Sequence, residues 1–362
     1  MDHKLYTCAV LIDLAKAFDT VDHDILLKKL DVYGIRGCLY DWLKSYLSDR
    51  TQTTCINNHI SKKATISYGV PQGSILGPLL FLLYINDICM ASKVLKFHLF
   101  ADDTNIIYSD KNPKNLELVM NSELAKLQDW ITANKLTINV KKSNFVVFHP
   151  SRIKHKGQFN IKLTDEKTSK FIYLEQKNCV KYLGVLLDNK LSWKPNIDYI
   201  SNKISRTVGI LSKLRHSLPK DILLKMYKSL LQPLLLYGIN IWGQASKKVQ
   251  EKLLLLQKRA LRSIFFLNST HSAVPLFTET EILPVTLLYF YSTAQLMYDV
   301  NHNFAPTNIS NIFTQVKDIH NYDTRFSSSE NYYIKYSRLN TQKSSFSRVG
   351  VRLWNQIPAY IR

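Results

Sequence analysis

The chain has 362 residues and a formal charge of +20, from 48 Lys+Arg against 28 Asp+Glu. A surplus of that size points to a polyanionic partner, and five cysteines, odd in number and with no CxxC pair, argue against a disulfide framework or a cysteine zinc site. The longest apolar stretch, Ile75 to Ile88, contains Pro78 and Asn86 and is too short to span a bilayer; no segment reads as a signal peptide, so an intracellular protein, nuclear or cytoplasmic, without membrane contact is expected.

Val10-Leu11-Ile12 reads as a buried strand with Asp13 at its carboxyl end, where open α/β sheets place their sites. Asp13 suits equally well a cap for the segment that follows. Helices are expected at Val21 to Leu30 and Leu39 to Leu47, then a hairpin of Thr51 to Ile56 and Lys63 to Tyr68 around Asn57-Asn58-His59. Gly69-Val70-Pro71-Gln72-Gly73-Ser74-Ile75-Leu76-Gly77-Pro78 reads as a loop, with Ser74 placed to cap an apolar helix running to Ile88. Its glycines let a ligand approach the backbone, and Gln72 offers a donor and an acceptor. An ordinary loop-to-helix junction accounts for the stretch as well.

Val94 to Leu99 and Thr104 to Tyr108 read as short strands, and Phe100-Ala101-Asp102-Asp103 forms the turn between them. Adjacent carboxylates repel, so folding does not ask for them; a divalent cation would cancel the cost. Alone, the turn reads at least as readily as a solvated hairpin. Together with Asp13 it supplies three acids at the ends of neighbouring strands. Such a set can hold two Mg²⁺ ions roughly 4 Å apart, which activate an attacking oxygen and stabilise a leaving one in phosphoryl transfer.

Leu116, Val119, Met120, Leu124, Leu127 and Ile131 recur at helical spacing to about Ala133. Strands at Leu136 to Ile138 and Phe145 to Phe148 would close the sheet, giving an α+β unit. Past Trp193 the period is helical throughout. Ile197, Ile200, Ile204, Val208, Leu211 and Leu214 form one stripe, with Lys203, Arg206, Lys213 and Arg215 off it; helices at Lys220 to Leu231 and Ser246 to Phe266 complete a bundle. Residues 191–362 hold 22 Lys+Arg against 9 Asp+Glu. These cations are spread over several helices, which suits phosphate tracking better than a membrane surface, although a solvated face explains many of them. From His271 the chain mixes a helix, Val285 to Val300, with a Tyr- and Ser-rich tail.

Asp13 with Phe18, then Pro71-Gln72-Gly73, then Phe100-Ala101-Asp102-Asp103 resembles, in that order, motifs A, B and C of reverse transcriptases. Trp130 to Ser143 is similar to motif D, and Tyr182-Leu183-Gly184-Val185 to motif E, the primer grip. The wording from Asp13 to His23 and from Phe100 to Thr104 is similar to non-LTR (LINE-type) retrotransposons of the Jockey kind. His320-Asn321-Tyr322-Asp323-Thr324-Arg325 and Leu353-Trp354-Asn355-Gln356-Ile357-Pro358 resemble the ends of such reading frames.

The resemblance implies an RNA-directed DNA polymerase that adds deoxynucleotides to a DNA primer on an RNA template, with two Mg²⁺ ions, Mn²⁺ being an alternative. Asp13, Asp102 and Asp103 would hold the metals. Phe18 would exclude a ribose 2′-hydroxyl, though an aromatic beside an apolar strand is more often plain core. Gln72 and Gly73 would contact the incoming nucleotide and template. Lys142 would give a proton to the leaving pyrophosphate, unless it is simply one of two solvated lysines. Tyr182, Leu183, Gly184, Lys203, Arg206, Lys213 and Arg215 would touch nucleic acid. Asp19 and His23 read as structural, bonding locally at the start of the first helix.

The expected architecture is a right-hand polymerase palm (residues 1–190), a helical thumb (191–270) and a mixed C-terminal region of unread role (271–362). Met1 precedes the motif A strand by only a few residues, whereas a complete enzyme carries fingers and further palm elements upstream. The implied chain is therefore an N-terminally truncated enzyme with an incomplete palm, weak nucleic-acid binding and negligible primer extension. Two rivals stand beside it: a non-catalytic nucleic-acid-binding remnant, and a metal-dependent phosphohydrolase using the same three acids, which would need neither the motif B wording nor the basic bundle.

Overall fold

The computed structural model describes residues 5–149, 158–164, 170–319, 331–337, 340–358 and 360; the His320 to Arg325 stretch lies outside them. The chain divides into two compact units, the first ending at Val180 and the second beginning at Lys181. No described helix is long and apolar enough to cross a membrane.

The first unit opens with β1 (Tyr6–Ile12), followed by α1 (His23–Val32) and α2 (Cys38–Leu47). Four two-residue strands follow: β2 (Thr51–Gln52), β3 (Cys55–Ile56), β4 (His59–Ile60) and β5 (Ala64–Thr65). Then come α3 (Leu76–Ile85), the hairpin β6 (Lys96–Phe100) and β7 (Asp103–Asp110), α4 (Pro113–Ala133) and β8 (Asn144–Phe148). Strands β9 (Lys162–Thr164), β10 (Phe171–Tyr173) and β11 (Glu175–Gln176) end the unit.

β1 is the central strand of a five-stranded sheet ordered β11-β8-β1-β7-β6, antiparallel to both β7 and β8. A strand flanked on both sides and covered on both faces needs a near-continuous apolar run, which Val10-Leu11-Ile12 supplies. Cys8, in the same strand, is 0% exposed, and burial pushes its thiol far above the ordinary range. The stripe Leu116, Met120, Leu124, Leu127 and Ile131 on α4 joins the same core. Asn112 caps α4 by accepting the Lys114 N–H, with Pro113 pre-set for the first turn.

Three expectations are corrected. The hairpin turn is Asn57-Asn58 alone, both at positive φ, and His59 already lies in the return strand. That turn chemistry suits a two-residue connection, so the pairing restarts sooner than the Lys63 boundary implied. The apolar helix ends as α-helix at Ile85 and continues as a 3₁₀ turn from Asn86 to Ala91. Leu136 to Ile138 makes only one bridge, Leu14 with Ile138, because its backbone bonds the segment that leaves β1 instead of a sheet neighbour.

β12 (Cys179–Tyr182) leads into the second unit and pairs with β13 (Val185–Asp188). The unit is otherwise helical: α5 (Lys194–Leu214), α6 (Lys220–Met226), a π turn from Tyr227 to Leu231, α7 (Gln232–Leu236), α8 (Ile239–Trp242), α9 (Lys247–Ile264), α10 (Val274–Glu279) and α11 (Val285–Asn301). The α5 stripe from Ile197 to Leu211 packs with Leu253, Leu261, Tyr227 and Trp242. A smaller core joins α11, through Met297 and Val300, to Val351 and Trp354 of the helix Phe346–Gln356.

Candidate active site

Strand register decides where the acids stand. The last pair between β1 and β7 is Ile12 with Thr104, which brings Asp13 level with Asp103. Phe100 and Asp103 close the β6–β7 hairpin, leaving Ala101 and Asp102 as its two-residue turn, with Ala101 at φ 51. Asp13, Asp102 and Asp103 therefore meet at one end of the sheet. Burial, then the charges of Asp102 and Asp13, push the Asp103 carboxyl above its usual range. Among the described residues no three acid, His or Cys side chains are already gathered as a metal ligand set. Strand register places the three residues at one sheet end, with their carboxylates not gathered into a ligand set.

Asp13 is held through its own peptide groups. Its N–H donates to the Ser143 hydroxyl at 3.1 Å, and its carbonyl accepts the Asn139 N–H at 2.8 Å. Ser143 is 2% exposed and donates onward to the Asn139 carbonyl at 2.9 Å. Next along the chain, the Ala15 N–H donates to the Thr137 carbonyl at 2.8 Å. Lys142 sits on this clamp with its Nζ 3.9 Å from Asp13 Oδ2 and its side chain 71% exposed. Ser143 closes the motif D-like run, but sequence gave it no role; only the fold shows what its hydroxyl accepts.

The Gly- and Pro-rich loop is zipped to the segment after Asp13. The Val70 N–H donates to the Phe18 carbonyl at 2.8 Å, and the Gly69 N–H to the Val21 carbonyl at 2.7 Å. At Gly69, φ is +89°, and a Cβ would lie 2.9 Å from the Asp19 backbone, so only glycine permits this approach. Phe18 is half-buried, its ring 4.5 Å from that of Phe81. Exposed Gln72 donates to Asp19 Oδ1 at 2.8 Å, and His23 Nε2 lies 2.7 Å from the Gly69 carbonyl. Asp19 and His23 thus reach across to this loop, not to their own helix start. Asp22 caps α1 by accepting the Ile25 N–H. Burial pushes the Asp22 carboxyl up, but the Lys135 ammonium at 2.6 Å and the Ile25 and Asp24 N–H groups hold it below its ordinary value. Ser74 accepts the Gly77 N–H at 2.9 Å at the head of α3, and Gly73 has φ 82.

A cleft of about 910 Å³ opens beside this loop, lined among others by Lys16, Asp19, Arg50, Tyr68, Gly69 and Gln72. The three carboxylates are not in its lining. Lys16 and Arg50 are cations that sequence did not single out, since neither lies in a periodic pattern.

In the second unit Leu183 and Gly184 form the two-residue turn between β12 and β13, at φ 43 and 81. The Tyr237 hydroxyl donates to the Leu183 carbonyl at 2.6 Å. Tyr182 is the last residue of β12. Lys203 lies 4.5 Å from the Tyr199 ring centre and Lys181 5.6 Å, and their ammonium groups, Lys203 foremost, hold the Tyr199 phenol below its usual value. Arg206 and Lys213 are exposed. Arg215 is half-buried over Phe266 at 5.4 Å.

A family model described as reverse transcriptase (RNA-dependent DNA polymerase) matches residues 1–187. The probable RNA-directed DNA polymerase from transposon X-element of Drosophila melanogaster is 30% identical over 276 residues, covering 73% of this chain and 29% of that protein. The RNA-directed DNA polymerase from mobile element jockey of the same organism is 30% identical over 275 residues, with the same 73% and 29%. The chain thus spans 29% of the length of these relatives. Apo telomerase from Candida tropicalis aligns at 12% identity and a TM-score of 0.35, covering 83% of this chain and 50% of that one, too loose a likeness to bear on the fold. With more than half of its residues inside the family model, and relatives of the Jockey and X-element kind 30% identical over 73% of it, the chain belongs to the reverse transcriptase family of non-LTR retrotransposons.

Proposed function

We propose that this chain carries the nucleotide-transfer centre of an RNA-directed DNA polymerase, with the first unit as its palm and helices α5 to α9 as its thumb. One observation supports this above all: strand register and a two-residue turn bring Asp13, Asp102 and Asp103 to one sheet end, where their mutual repulsion marks a cation site. The donor set is all carboxylate oxygen, which fits Mg²⁺ or Mn²⁺. Two such ions would supply Lewis-acid stabilisation of the transferred phosphate.

The chain's own residues do the remaining work. Ser143 and Asn139 fix the Asp13 backbone, so that its carboxylate starts from one position. Phe18, braced by Phe81, supplies the bulk that excludes a 2′-hydroxyl. Gln72, oriented by Asp19, and Gly73 meet the incoming deoxynucleotide and the RNA template. Lys142 carries the proton for the leaving pyrophosphate. Tyr182, Leu183 and Gly184 hold the DNA primer end, while Lys203, Arg206, Lys213 and Arg215 follow its phosphates.

Manganese titration followed by electron paramagnetic resonance tests the centre directly. The parent should bind Mn²⁺, and a variant with Asp102→Ala and Asp103→Ala should not. Any deoxynucleotide incorporation on a primed RNA template must vanish in the same variant. Equal Mn²⁺ binding by the two proteins would sink the assignment, and hydrolysis of small phosphate esters without template-dependent incorporation would favour the phosphohydrolase reading.

A further inference from the structure

Far along the sequence from the acids, a second cavity of about 410 Å³ lies between α11 and the helices Asn340–Lys343 and Phe346–Gln356. Its apolar walls are Phe290, Val349 and Leu353; its polar rim includes Lys343, Arg352 and Gln356. Phe290 is 44% exposed, although a phenyl ring gains from being covered. The Tyr289 hydroxyl donates to the Ser344 carbonyl at 3.1 Å and ties the cavity's loop to α11. Among the described residues no carboxylate lines the cavity, and neither Lys343 nor Arg352 has an ion-pair partner. An open aromatic wall with two free cations and no acid complements a flat ring that carries a negative charge. The volume accommodates a nucleobase with its sugar. Past the cavity the same helix exposes Tyr291 and Tyr298, and rings continue through His302, stacked 4.0 Å from Tyr298, to Phe304.

We propose that this cavity is a binding site for single-stranded nucleic acid, with one base stacked on Phe290 and an adjacent phosphate held by Lys343 and Arg352. Base–aromatic stacking beside a cationic groove is how single strands are held without sequence preference. The site lies outside residues 1–187 and goes beyond the polymerase centre.

The experiment uses the whole 362-residue chain, fluorescein-labelled oligo(dT) and an abasic polymer of equal length, with anisotropy read across a salt series. Phe290→Ala should weaken oligo(dT) binding about 5- to 100-fold and leave the abasic polymer unaffected. Lys343→Gln with Arg352→Gln should lower the salt slope by about 0.7 for both polymers, since the single-strand phosphate they hold together contributes about 0.7. Phe290→Trp should restore affinity, and oligo(dT) should quench the new indole. All three positions are surface side chains, so thermal melts should match the parent. Pocket variants that fold and bind like the parent would overturn the proposal while leaving the carboxylate centre untouched, because Mn²⁺ binding reports on that separately. Equal loss of both polymers in Phe290→Ala would also overturn it, since no base would then be stacked there.

Discussion

At the carboxylate end of the first unit, Asp13 is gripped by its own peptide N–H and C=O, while Asp103 is placed by ladder register. On α5, Lys203, Arg206 and Lys213 project from a helix whose backbone would run the same way with other residues at those positions. The first arrangement fixes a charge to within a side-chain rotation and stores repulsion. The second leaves long flexible side chains on an exposed face, Lys203 resting over the Tyr199 ring. A centre for chemistry needs the former, because misplacement by about 1 Å can cost a hundredfold; a surface that slides along a backbone works with the latter. Cooperating backbone bonds make the one sensitive to single substitutions, and additive contacts make the other tolerant of them.

The largest effect tests the tolerant side. Changing Lys203, Arg206, Lys213 and Arg215 together to Gln should reduce the slope of log affinity against log salt by about 3, at about 0.7–0.9 per phosphate contact. Mn²⁺ binding should not change. A fall in Mn²⁺ affinity, or an unaltered slope in a salt series, would break the separation between the two regions.

Ser143→Ala probes the sensitive side. It leaves the Asp13 N–H without its acceptor, which should cost about 1–3 kcal/mol in urea unfolding. With Asp13 as a proposed metal ligand, loss of the bond that holds its backbone should also weaken Mn²⁺ binding, by about tenfold or more. A variant as stable and as tightly metal-binding as the parent would show that Asp13 needs no such clamp.

The smallest effect concerns Asp103. Its carboxyl is raised in the folded chain above an ordinary value of 3.8, by burial and by Asp102 and Asp13. Its contribution to stability is therefore present below that ordinary value and is lost as pH rises through the raised one. At neutral pH without divalent ions, Asp103→Asn should raise Tm slightly, and the gain should fade as pH falls below 3.8. Mg²⁺ should raise the parent's Tm more than the variant's. A drop in Tm at pH 7 would mean that the charge is already compensated.

What sequence could reveal follows from how each part is encoded. α4 and α5 announce themselves through periodicity, since burial selects apolar residues at fixed intervals, and β1 through a near-continuous apolar run. The Asp102 turn shows because two acids stand where a hairpin must bend. The Ser143–Asp13 bond could not show, because it joins positions 130 apart and one partner is a peptide group with no side-chain signature. For the same reason Leu136 to Ile138 looked like a strand: its composition is right, but its backbone bonds go to Ala15 and back to Ile131. Asp19 and His23 were read as local because their partners, Gln72 and Gly69, come 53 and 46 residues later. The Phe290 cavity is assembled from three helices, none of whose patterns names it.

Cys8 lies five residues before Asp13, in the strand that ends just ahead of it, opposite Tyr108 on one side and Val147 on the other. Cys38, Cys55 and Cys89 are exposed, so an alkylating reagent will consume those thiols at once. Cys8 can react only when the central strand parts from its neighbours, and its labelling rate becomes a clock for that opening. With the three exposed thiols and half-buried Cys179 replaced by serine, mass spectrometry of a single adduct would time how often the strand that presents Asp13 comes free.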